Sequence, residues 1–134
     1  MGSVKFDRKD PPRFFEVGNA ARFSMADCGN LALDEDEQVT FTTPAGAEYD
    51  VARKDWGFYA TPSLNGRLLQ FGLRGVLIRN TITGRYFVFL VENGHEKAFD
   101  DYMQQESLEV IAWLDATERL DALRTAMLPG AGSK

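Results

Sequence analysis

One cysteine and one histidine in 134 residues close off several kinds of chemistry at once. Cys28 has no second cysteine to bridge to, so the chain carries no internal disulfide, as suits a reducing compartment. With His95 as the only imidazole, the two residues fall short of the three or four nitrogen and sulfur ligands that zinc takes. A thiolate nucleophile needs a base or a positive field beside it, whereas Cys28 follows Asp27, whose charge opposes ionisation of the thiol. The acidic run Asp34, Glu35, Asp36, Glu37 lacks the spaced oxygen ligands and central glycine of a calcium loop and reads as a solvated turn. Neither a metal nor a cofactor is expected.

Long apolar runs are equally scarce. The longest, Tyr86 to Val91 ("YFVFLV"), is far below the ~20 residues of a membrane helix. The opening "MGSVKFDRKDPPRFF" is charged where a secretory leader would be apolar. The expectation is a soluble cytoplasmic protein that does not cross a membrane. A phosphate-cradling loop is missing too: Gly66, Gly72 and Gly75 in "NGRLLQFGLRG" have the wrong spacing and lack the lysine of a P-loop.

What remains is a folded composition, 44% hydrophobic and 26% charged, at the length of one domain. The net charge of −5 is unevenly spread. Between Val51 and Val91 stand Arg53, Lys54, Arg67, Arg74, Arg79 and Arg85 against Asp55 alone, a local +5, which leaves −10 for the rest. The overall acidity makes nucleic acid an unsuitable partner.

Residues 1–12, stopped by "DPP", read as a flexible arm, 13–128 as a single domain and 129–134 as a disordered tail. "DCGN" signals a turn at Gly29 between two short strands. "QVTFTT" and "AEYDVARK" alternate with period two around "PAG" and form a hairpin. "GVLIRN" and "RYFVFLVE" flank "TITG" as a second hairpin, apolar enough on both sides to be covered on both faces. "HEKAFDDYMQQE" gathers Ala98, Phe99, Tyr102 and Met103 on one stripe of a helix. After a further β-rich run, "LEVIAWLD", Asp115 and Glu118 stand in capping-box relation before a helix with Leu120, Leu123 and Met127 in its apolar stripe. Strands followed by helix, strand and helix give an α+β class: a strongly bent antiparallel sheet or small partly open barrel, with two C-terminal helices packed on one side.

The functional candidates concentrate in "KDWGFYATPSLNGR", residues 54–67, read as a loop. Flat aromatics beside short polar donors suit a sugar or nucleobase, and a guanidinium suits an anion. The expected ligand-binding set is Trp56 and Tyr59 for stacking, Asn65 for hydroxyls, Arg67 for the anionic group, and Lys54 and Asp55 at the rim. The same residues have a structural alternative, with the aromatics as a core plug and Arg67 paired to Asp100 or Asp101. The functional expectation is a non-catalytic binding or accessory domain for a nucleotide-sugar, an acidic sugar or a protein partner. Two alternatives stand beside it: a small enzyme acting on a sugar or nucleotide through Asp55 or His95, and an interaction module or homodimer without a small ligand.

Overall fold

The computed structural model describes residues 4–18 and 22–130. Among them eight strands form three antiparallel sheets, accompanied by three helices. The class is α+β, but the sheets are not closed into a barrel and the helices do not all follow the strands.

The first sheet is a two-stranded ribbon of β1 (Lys5–Val17) and β2 (Phe23–Ala32). Residues 5–12, read from sequence as an arm, supply the outer half of β1, with Lys5 opposite Ala32 and Arg8 opposite Gly29. The expected turn at Gly29 does not occur. Gly29 lies inside β2 at φ 145°, and the register jumps from Arg8↔Gly29 to Arg13↔Asp27, so residues 9–12 bulge out. Pro11 and Pro12, which have no N–H to give to a ladder, fall in that bulge. The Asx signature is real but local: Gly29 N–H donates to Asp27 Oδ1 at 3.2 Å within the strand. Of the expected tail at 129–134, residues 131–134 lie outside the described residues.

The second sheet is the meander β3 (Gln38–Thr42), β4 (Glu48–Lys54), β5 (Gly57–Ala60). The β3–β4 hairpin pairs Gln38 with Ala52 through Thr42 with Glu48 around the expected "PAG" loop. β5 was hidden inside the stretch read as a loop. It is short, and it pairs Gly57 with Lys54 across a two-residue turn made by Asp55 and Trp56, with Gly57 at φ 141°.

The third sheet holds the core. Its order is β7 (Tyr86–Glu92), β6 (Leu73–Asn80), β8 (Leu108–Trp113). On one face Val76 and Ile78, both 0% exposed, pack with Val91 under Phe99 and Met103 of α2 (Glu96–Gln105). On the other face Leu73 meets Ala47 and Leu68, the latter from the one-turn α1 (Arg67–Gln70), with Tyr49 and Leu90 alongside, and this second cluster joins the meander to the sheet. Gly75 is the point of closest approach, since a Cβ there would lie 2.9 Å from Leu64 Cδ2. Cover on this face stops short of Tyr86 and Val88, which stay exposed, so β7 is buried along only part of its length.

α3 (Thr117–Met127) departs furthest from expectation, since it contributes no buried residue and Met127 is 70% exposed. The expected capping box is not formed. The helix is capped at Ala116 with no side-chain bond, because the Asp115 carboxylate instead accepts a hydrogen bond from Arg74 Nε at 2.6 Å. Only α2 of the two C-terminal helices packs on the sheet. No described helix is long and apolar enough to cross a membrane.

Candidate functional site

Strand alternation decides what residues 54–67 can do together. In β4, Asp50, Ala52 and Lys54 share one face, and the register puts Thr40 of β3 opposite Asp50 and Tyr59 of β5 opposite Ala52 on that same face. Trp56, at the hairpin tip, stacks on Tyr59 with ring centroids 6.0 Å apart and planes inclined 30°. Neither ring is a core plug: Trp56 is 68% exposed and Tyr59 46%.

Arg67 opens α1 and reaches the same face through Asp50, Nη2 to Oδ2 at 3.5 Å, with its guanidinium 5.0 Å over the Phe71 ring. The acid it meets is therefore Asp50, not Asp100 or Asp101 of α2. Asp50 is buried and also accepts the Thr40 hydroxyl, which fixes the carboxylate for the arginine. Asp50 is the residue of this arrangement that the ligand set omitted; its place in a period-two strand opposite Thr40 was the available signal.

The other members are held separately. Lys54 is bonded to Asp36 in the acidic turn, and that hydrogen bond raises its pKa above the ordinary lysine value. Asp55 is exposed at the β4–β5 tip. Asn65 turns toward α3 and donates through Nδ2 to Thr117 Oγ1 at 3.1 Å. The structure thus brings Tyr59 and Arg67 to one sheet face with Trp56 at its end, while Asn65 and Lys54 are engaged by other segments. His95 is remote in the chain, at the start of α2. Among the described residues no group of three or more His, Cys, Asp or Glu side chains is gathered as a metal would need.

The local positive charge is largely met from within. Of the six basic residues between Val51 and Val91, four are in ion pairs: Lys54 with Asp36, Arg67 with Asp50, Arg74 with Asp115 at 2.6 Å, and Arg79 with Glu109 at 3.3 Å. Arg74 is further held 3.9 Å over the Trp113 ring. Cations already paired to carboxylates attract an incoming anion less strongly than a bare cluster would.

A different concavity lies on the other sheet. A groove of about 590 Å³ runs between the edge of β7 and α2, walled by Phe89, Val91, His95, Ala98, Phe99 and Tyr102. The apolar run "YFVFLV" was its sequence signal, absorbed there into the core. Compared with known proteins, the chain matches no family model, no curated protein and no solved structure.

Proposed function

We propose that this protein is a non-catalytic binding module of the cytoplasm that works by docking against another protein chain. The observation that carries this reading is the excess of apolar surface. Among the described residues, 21 large hydrophobic side chains are exposed against nine buried hydrophobic ones. Scattered apolar residues are ordinary on a surface, but neighbouring ones such as Tyr86 and Val88 on one face of β7, and Trp56 stacked on Tyr59, mark contact sites.

A second reading, a small anionic ligand such as a nucleotide-sugar or acidic sugar, is favoured by the stacked Trp56–Tyr59 pair beside Arg67. The internal ion pairs place it behind the first. Native mass spectrometry of the protein drawn from its own cells separates the two. A companion chain is expected. A free 15.0 kDa chain without one overturns the first reading, and a small adduct that disappears in Arg67→Ala supports the second.

A further inference from the structure

The third sheet ends in two edge strands that differ in how they are finished. β8 is interrupted by a bulge, its register slipping between Leu77 and Ile78, and Glu109 places a charge on it. Both features discourage a strand from adding there. β7 has neither. Its register with β6 is unbroken from Leu73↔Glu92 to Arg79↔Tyr86, no charge lies between Arg85 and Glu92, and no described strand pairs with its outer side. An edge of that kind leaves a row of backbone N–H and C=O groups open to another strand.

We propose that the partner on this edge is a second copy of the chain, with β7 paired antiparallel to the β7 of its twin to make one continuous six-stranded sheet; this rests on the protein-docking reading above. The charges bracketing the strand favour that arrangement. Arg85 precedes β7 and Glu92 ends it, and Glu92 is held in place by the Thr43 hydroxyl at 2.9 Å. Antiparallel pairing brings the Arg85 end of each copy to the Glu92 end of the other at both ends of the seam, with Arg85 on the α2 face and Glu92 on the opposite one, so unlike charges flank the seam without meeting on one face. Parallel pairing would set like charges together.

The geometry of a shared sheet also accounts for the groove. A two-fold axis normal to the sheet keeps the α2 faces of both copies on the same side. The odd-numbered residues of β7, which include Phe87 and Phe89, point to that side with Val91. The incoming Phe87, opposite the Phe89–Val91 end of β7, then enters the groove between β7 and α2, while Phe23 and Met25 of the ribbon flank the other end beside Phe87; this is the mode by which a sheet edge backed by a helix takes an added strand. On the opposite face Val88, 60% exposed in the single chain, becomes part of the seam.

The test is light scattering and sedimentation of the full chain from about 1 to 100 µM, a range that captures dimers of moderate affinity. The expected mass is twice 15.0 kDa. Val88→Lys is expected to give a monomer with an unaltered circular dichroism spectrum. Arg85→Glu is expected to weaken the dimer about tenfold through like-charge repulsion at the two ends of the seam, and adding Glu92→Arg to restore it. Amide exchange gives a readout without substitution: on dilution, residues 86–91 lose protection while β6 keeps it. A wild-type monomer at the top concentration overturns the pairing, as does a dimer untouched by Val88→Lys. In either case a companion found with the native protein still upholds the docking reading, so the two fail separately.

Discussion

The β1–β2 ribbon and the β7–β6–β8 sheet use the same antiparallel pairing and arrive at opposite states. The ribbon has the two longest strands, of 13 and 10 residues, and buries none of them. β6 has eight residues and buries Leu73, Gly75, Val76 and Ile78. The difference is cover. α2 lies over one face of β6 and the α1 segment over part of the other, whereas the ribbon meets the third sheet at its loop end, where the Phe23 ring stands 6.4 Å from Tyr102. Backbone ladders alone leave a two-stranded element marginal in water, and it is the apolar layer laid on a strand that turns pairing into stability.

The sharpest way to break that contrast is a pair of truncations. Ile78→Ala is expected to destabilise by about 2–5 kcal/mol in denaturant unfolding, as for an aliphatic side chain removed from a packed core. Phe14→Ala, on a ribbon ring that is 65% exposed, is expected to shift the same midpoint by only a few tenths. Equal losses would show that the ribbon is buried as the core is.

A smaller and local effect is expected at Gly29. A Cβ there would sit 2.3 Å from the Asp7 carbonyl oxygen, at a φ that L-residues avoid. Gly29→Ala should therefore weaken the ribbon by about 1–3 kcal/mol. Faster amide exchange in β1 and β2, with β6 unchanged, is the signature; exchange rising everywhere would mean that the two parts unfold together.

Acid provides the mildest separation. The Asp27 carboxyl is held below its ordinary value of 3.8, chiefly because Gly29 N–H donates to it, with Lys9 and Arg13 assisting against a desolvation that pulls the other way. A carboxyl depressed in the folded state adds stability that is complete above its unfolded pKa and is lost as pH falls through the folded one. The ribbon should loosen slightly below about pH 4 while β6 stays protected. Asp27→Asn should remove that response in a pH series of amide exchange, and a response that persists would place it on other carboxylates.

The fold was legible in the sequence wherever a side-chain pattern and a local turn agreed. The β3–β4 and β6–β7 hairpins follow from period two and their turn residues, and α2 from its Phe99–Met103 stripe. It was illegible where one local signal has two outcomes. Asp27 and Gly29 satisfy a turn or a bulge equally well, and only the presence of β1 opposite decides. Asp115 can cap a helix or take an arginine, and Arg74, 41 residues away, won it. In the candidate site, Trp56 and Tyr59 were readable as a pair, but the claims on Lys54, Asn65 and Arg67 by Asp36, Thr117 and Asp50 come from elements brought near only by folding.

The place of β6 between β7 and β8 also sets an order of events. Its pairing with β7 closes through a short turn, where Asn80 N–H reaches the Arg85 carbonyl at 2.8 Å. Its pairing with β8 joins Val76 to Trp113 and waits for all of α2 to be made. Nearby contacts close sooner because less chain entropy is lost in joining them. On the ribosome, where chains lengthen by about 5–20 residues per second, the β6–β7 hairpin therefore spends seconds with both long sides bare. A nascent chain is most open to strand exchange with a neighbour on the same message during that interval.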